Sequence, residues 1–222
     1  MTPAASIDRA TVVDRALTED LGTAPAPQIP EPVFGATDRL RGTIVGAVLT
    51  LIAVATRFWD LGNPTDKGTP VFDEKHYVPQ GWQVLTGDNL LEDNPAYGLV
   101  VHPPVGKWML AASEWMFGYT PLGWRFLAAV SGVVVVLAVY LSVRRMSRST
   151  LIGAIAGIFA ICEGVLFVQS RLGMLDILQI LFVVLAFAAL IADRDQMRQR
   201  MHRVWTEGRM GDSPFGPRFG FR

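Results

Sequence analysis

The stretch FLAAVSGVVVVLAVYLSV, Phe126 to Val143, runs 18 residues without a charge and leads straight into Arg144, Arg145 and Arg148. A helix needs about 20 apolar residues to cross the hydrocarbon core of a bilayer, so this stretch reads as a membrane span with a basic end. Working outward, three more runs share its character: Gly42 to Trp59, Thr150 to Ser170 and Leu172 to Ala192. Half of the residues are hydrophobic and only 18% are charged, which is apolar for a soluble domain of this length. The fold expected is therefore an all-α polytopic membrane protein with spans over residues 42–59, 125–143, 150–170 and 172–192.

The charges sort by region. Residues 60–124 carry eight acids against three lysines, a net charge of −5. Basic residues gather elsewhere: four arginines in the tail 1–41, three in the 144–149 turn, and seven in the segment 193–222. Cytoplasmic loops of membrane proteins are enriched in Lys and Arg, so both tails and the 144–149 turn are expected inside and the 60–124 loop outside. The tail 1–41, with Pro25, Pro27, Pro30 and Pro32 and no apolar period, reads as disordered, and no signal peptide opens it. The first run acts as an uncleaved anchor whose flanking Arg41 and Arg57 snorkel to the interfaces. No basic run is interleaved with aromatics, which removes nucleic acid as a partner. The single Cys162 excludes an internal disulfide framework.

The outer loop is patterned. Pro103 and Pro104 suit a helix start, and Gly118 suits its stop. Between them Val105, Trp108, Met109, Ala112, Trp115, Met116 and Tyr119 follow helical spacing, with Lys107, Ala111 and Glu114 off the stripe. Such an amphipathic helix is expected to lie along the membrane surface. A shorter helix, with Tyr77, Trp82 and Leu85 as its apolar side, is expected after residue 74.

Candidate chemistry centres on Asp73 and Glu74, within Val71-Phe72-Asp73-Glu74-Lys75-His76-Tyr77-Val78. Adjacent acids in a loop are ordinarily solvated charges. Here the flanks are apolar or aromatic and the loop follows a membrane anchor, so partial burial would strengthen a carboxylate as a general base. Glu163 interrupts the third span, where a charge costs about 2.5–3.5 kcal/mol on insertion scales and calls for a cavity or a partner. It is either a protonated, hydrogen-bonded member of the bundle or a functional group. Arg171 and Asp176 pair as a clamp across the turn between the last two spans. Arg125 is a snorkelling anchor or, since a guanidinium fork matches a phosphate, a phosphate contact. Lys107 and His102 are candidates of the same kind. His76 has no second His or Cys at ligand spacing, and no metal site is expected.

Together these segments resemble the bacterial protein O-mannosyltransferases over roughly residues 42–200. The resemblance rests on Phe72-Asp73-Glu74-Lys75-His76-Tyr77, Val101-His102-Pro103-Pro104-Val105-Gly106-Lys107, Trp124-Arg125-Phe126, and Glu163 through Gln169-Ser170-Arg171 to Leu175-Asp176. It implies a GT-C helical bundle in the plasma membrane that moves mannose from polyprenyl-phosphate-mannose to Ser or Thr hydroxyls of exported proteins, with inversion. Asp73 and Glu74 could hold a divalent ion, but the resemblance does not demand one and no cofactor is expected. It further implies Asp73 as the base, Glu74 as support for the acceptor, and Arg125 as a phosphate contact or a brace of the loop. His102, Lys107 and Arg171 would assist at the donor phosphate, with Glu163 and Asp176 in support. The secretion translocon would deliver acceptors, and membrane lipids would surround the bundle. Family members continue through more spans, so the chain is expected to be an N-terminal portion of such an enzyme. Two other readings stand beside this one. The first is a different polyprenyl-phosphate-dependent glycosyltransferase on the same scaffold. The second is a transporter or membrane subunit using Glu163, Arg171 and Asp176 as an ion path.

Overall fold

The structure, a computed structural model, describes residues 36–63, 68–87 and 102–206, with side chains through 201. The described residues up to Asp193 belong to one compact unit, which holds the candidate site. Residues 1–35 of the tail expected to be disordered, the 193–222 segment beyond Thr206, and Asp88, Glu92 and Asp93 of the loop lie outside the described residues, while residues 36–41 of that tail are helical and open the first helix.

Seven helices and no strand are present among the described residues: α1 (Ala36–Phe58), α2 (Glu74–Thr86), α3 (Pro104–Phe117), α4 (Pro121–Ser147), α5 (Thr150–Cys162), α6 (Gly164–Gln169) and α7 (Leu175–Thr206). Three are long and apolar enough to cross a membrane, over Thr37–Phe58, Pro121–Ser147 and Leu175–Met201. The chain is thus an all-α, membrane-embedded protein. Helix α4 starts at Pro121, capped by the Thr120 hydroxyl accepting from the Gly123 N–H at 3.1 Å. It ends at Arg148, a left-handed residue with φ of 54°.

The third apolar run departs from the single helix expected over 150–170. Helix α5 stops after 13 residues, and Glu163 takes an extended backbone (φ −66°, ψ 119°) before α6 begins. The cause is the acid itself. Its carboxylate accepts from the backbone N–H groups of Val165 and Leu166, and that arrangement requires a fresh helix N-terminus. The expected lone charge inside a span is instead an exposed helix cap.

Helix α4 is the central element, packed by α1, α3 and α5. Apolar burial does little to drive helices together in lipid, so close backbone approach at small residues matters more. Two Gly-x-x-x-Gly patches provide it. A methyl on Gly46 of α1 would meet the Tyr140 ring at 3.0 Å, and one on Gly42 would strike the Arg144 guanidinium. On α5, a methyl on Gly153 would touch the Arg144 Cβ at 2.7 Å, and one on Gly157 the Leu49 side chain at 2.7 Å. The Tyr140 hydroxyl donates to the Gly42 carbonyl at 2.6 Å, and Arg144 donates to the Thr150 hydroxyl and the Asp38 carbonyl. The basic 144–149 turn is therefore a clasp for one end of the bundle.

At the other end Arg57 does not snorkel. It is fully buried, and its guanidinium reaches inward to the Ala160 carbonyl at 3.3 Å. The guanidinium is admitted by Gly132 of α4, where a methyl would lie 3.0 Å from Arg57 Nε. Above it Ala53, Val133 and Val136 form an apolar cluster backed by Phe58, Ala160 and Ile161.

The two loop helices pack on each other, and α3 rests on α4. Helix α3 buries Lys107, Leu110, Ala111, Ser113 and Glu114 while Trp108, Trp115, Val105 and Met116 stay exposed. The apolar stripe read from the sequence is the outward face. In α2 the buried residues are Glu74, Val78, Pro79, Gln80 and Gly81, and Leu85 is exposed. The apolar side of Tyr77, Trp82 and Leu85 is half-buried to exposed, and the buried ion pair at Glu74 sets which face of the helix turns inward.

Candidate active site

Glu74 is the anchor of this region. Its carboxylate is fully buried and takes a forked pair from Arg125, Nε at 2.9 Å and Nη2 at 3.0 Å. It also accepts from the backbone N–H of Gly173 at 2.8 Å and of Val71 at 3.0 Å. Four donors satisfy a buried carboxylate, which would otherwise be costly. The bonds tie α2, the start of α4 and the 171–174 turn into one block. Glu74 is thus closed to an acceptor, contrary to the role expected of it. Arg125, itself only 3% exposed, braces the loop rather than snorkelling.

The neighbouring acid behaves oppositely. Asp73 is the N-cap residue of α2, yet its side chain makes no capping hydrogen bond, and it is half-exposed. Consecutive residues at a helix start point in different directions, so one carboxylate is buried as a brace while the next is turned out.

Four residues on, one helical turn along the same face, stands Tyr77. Burial, and then the charges of Asp73 and Asp176, push its phenol up. Its hydroxyl lies 3.4 Å from His102 Nε2, and the two rings meet edge-on at 5.4 Å and 83°. His102 holds a left-handed backbone, φ 73°, just before Pro103. Non-glycine residues in that region are strained and persist where surrounding structure holds them. Asp176 comes from the first turn of α7 and is exposed. The fold therefore gathers Asp73, Tyr77, His102 and Asp176 from three distant segments. In sequence Tyr77 reads as part of an apolar side, and its four-residue spacing from Asp73 is the signal that places it here.

Arg171 does not pair with Asp176. Its guanidinium donates to the Thr56 carbonyl at 3.0 Å and the Trp59 carbonyl at 2.8 Å, with its charge over the Phe167 ring at 5.4 Å. These bonds satisfy the C-terminal carbonyls of α1, a favourable place for a cation. Arg171 lines an open cleft of about 290 Å³ with Asp60, Leu61, Arg125, Phe167 and Leu172. The cleft is mainly apolar, and its wall carries two arginines and one acid, Asp60. Lys107 is only 1% exposed, and burial lowers its pKa. It is a buried member of α3 and stands away from the solvent face expected of a phosphate ligand. Among the described residues no three His, Cys, Asp or Glu side chains gather as a metal site.

Residues 47–206 match the family described as dolichyl-phosphate-mannose-protein mannosyltransferase. The chain is 55% identical over 199 residues to a polyprenol-phosphate-mannose--protein mannosyltransferase of Mycolicibacterium smegmatis, covering 90% of this chain and 38% of that protein. A Mycobacterium tuberculosis protein of the same name is 56% identical over the same shares. One from Corynebacterium glutamicum is 48% identical over 81% of this chain and 36% of that protein. The chain thus spans under two-fifths of the length of these curated relatives. No solved structure matches it. With family match and helical architecture in agreement, the chain belongs to the dolichyl-phosphate-mannose-protein mannosyltransferase family.

Proposed function

We propose that this chain is the N-terminal, acceptor-activating portion of an inverting membrane mannosyltransferase. It acts on polyprenyl-phosphate-mannose and on Ser or Thr hydroxyls of exported proteins. The observation carrying this reading is the division of labour between Asp73 and Glu74: one carboxylate braced in the interior, the next turned outward beside it.

In this mechanism the acceptor hydroxyl approaches Asp73, which takes its proton as the new bond to mannose C1 forms. The bond from C1 to the phosphate oxygen breaks on the opposite side, inverting the anomeric centre and releasing polyprenyl phosphate. A positioned base contributes about 10²–10⁴-fold to such a step. Charge developing on the leaving phosphate calls for fixed cationic groups. The Arg171 cleft supplies a guanidinium there, and its apolar walls suit the first isoprene units. Asp176 and the Tyr77–His102 pair flank the acceptor side. The 60–124 loop faces outward from the plasma membrane, with the exposed Trp108 and Trp115 seated among lipid headgroups. Exported chains reach it unfolded, as they would from a secretion translocon.

The ion-path reading loses its basis, because Glu163 is an exposed cap and Arg171 donates to the end of α1 instead of pairing with Asp176. The test is transfer of labelled mannose from polyprenyl-phosphate-mannose to a Ser/Thr peptide by membranes holding the longer enzyme that contains this chain. Wild type labels the peptide, and Asp73→Asn does not. Equal labelling by Asp73→Asn would remove that residue from the reaction.

A further inference from the structure

The most deeply placed acid that the mechanism leaves unused is Glu114. It is fully buried on the α3 face that meets α2, and neither carboxyl oxygen has a hydrogen-bond partner. Opposite it is Gly81 of α2, the point of closest approach between the two helices. A methyl there would lie 2.9 Å from Glu114 Oε2, 2.9 Å from Leu110 Cβ and 3.2 Å from the Ala111 nitrogen.

No hydrogen bond or ion pair satisfies the Glu114 carboxyl as the two helices are packed. Helix α2, packed against α3, carries the buried Gln80 and Gln83, whose amide oxygens are unpartnered, and Glu74, which is saturated by Arg125, Gly173 and Val71. Helix α4, on which α3 rests, carries Trp124, whose indole N–H has no partner, and Arg125, whose charge is taken up by Glu74. From the α3–α4 link comes the Tyr119 phenol, pushed up by burial and then by any charge on Glu114. Lys107 lies seven residues back on α3 itself. Burial without donors raises the Glu114 carboxyl to about 8, so near neutrality it is an uncharged acid.

We propose that Glu114 is a proton-held latch between the two loop helices, closing α2 against α3 while neutral and releasing α2 when it ionises. An ionised carboxylate needs water, and at this position water enters only when the helices part. Helix α2 bears Asp73 at its start, so release displaces the candidate base.

The sign follows from proton linkage. The closed arrangement binds a proton that the open one, with an ordinary carboxyl, gives up. The closed-to-open ratio therefore falls as pH rises through the window from the ordinary carboxyl range up to about 8, and levels off above it. Within that window one linked proton changes the ratio by about tenfold per pH unit.

The test uses the full chain in detergent micelles and involves no mannose transfer, so its outcome is independent of the proposed reaction. Amide hydrogen exchange of residues 74–86 is followed from pH 6 to 9, each rate divided by that of an unfolded peptide at the same pH. Wild type is expected to lose protection progressively, on the order of tenfold per unit, up to about pH 8. Glu114→Gln, uncharged throughout, is expected to hold its protection constant. Protection in wild type that does not change with pH overturns the latch, as does an equal loss in both proteins. Should Glu114→Gln fail to fold, Glu114→Met serves as the uncharged comparison, and the wild-type pH profile decides by itself.

Discussion

The Glu74 carboxylate and the Arg125 guanidinium face each other across 51 residues of sequence in a forked, fully buried pair, 2.9 and 3.0 Å apart. This pair carries the rest of the site. It fixes the rotation of α2, and by accepting from Gly173 it also fixes the turn that leads into Asp176. Removing one partner strands the other charge in the interior, an effect that typically costs about 3–5 kcal/mol. Glu74→Ala and Arg125→Ala should each lower the thermal midpoint in detergent sharply. Arg125→Lys should not restore it, because an ammonium cannot make the fork. A midpoint unchanged by Glu74→Ala would show that the pair is dispensable.

Gly132 makes the close contact between α4 and the turn after α6. A methyl there would sit 2.3 Å from Ser170 Cβ and 3.0 Å from Arg57 Nε, both residues fully buried. Neither neighbour has space to withdraw. Gly132→Ala should cost about 1–3 kcal/mol, the usual range for overpacking, read as a lower unfolding midpoint. Stability equal to wild type would mean that the helix is not pinned there.

Arg171 has both a structural and a proposed binding role. Its bonds to the Thr56 and Trp59 carbonyls hold the end of α1, and its guanidinium opens onto the apolar cleft. In the longer enzyme Arg171→Gln should raise KM for polyprenyl-phosphate-mannose by about 10- to 100-fold, the range for a lost charged hydrogen bond of about 1.5–3 kcal/mol. KM for the acceptor peptide should be little changed. A rise confined to the acceptor would move the cleft to the other substrate.

Much of this architecture was legible in the sequence, and the failures have physical causes. Uninterrupted apolar length announced α1, α4 and α7, and Pro104 and Gly118 marked the ends of α3. Periodicity also found the two faces of α3, but it could not say that the charged face is the buried one. Lys107 and Glu114 turn inward against the neighbouring helices, and the apolar stripe with Trp108 and Trp115 is left exposed. Glu163 was read as a charge within a continuous helix. A local rearrangement, in which its own carboxylate starts α6, removed that difficulty at low cost. Arg57 looked like an interfacial anchor because its distant partner, the Ala160 carbonyl, is 103 residues away and has no signature in sequence. The same holds for Glu74, since nothing in two adjacent acids tells which one meets an arginine beyond the loop.

The central claim is that Asp73 and Glu74, adjacent in sequence, do different jobs, and a paired comparison tests it most directly. Asp73→Asn and Glu74→Gln would be prepared in the longer enzyme and measured side by side for unfolding midpoint and for mannose transfer. The account predicts that Asp73→Asn keeps the wild-type midpoint while transfer falls by about 10²–10⁴-fold, and that Glu74→Gln lowers the midpoint. A stable, inactive Glu74→Gln beside a fully active Asp73→Asn would contradict it.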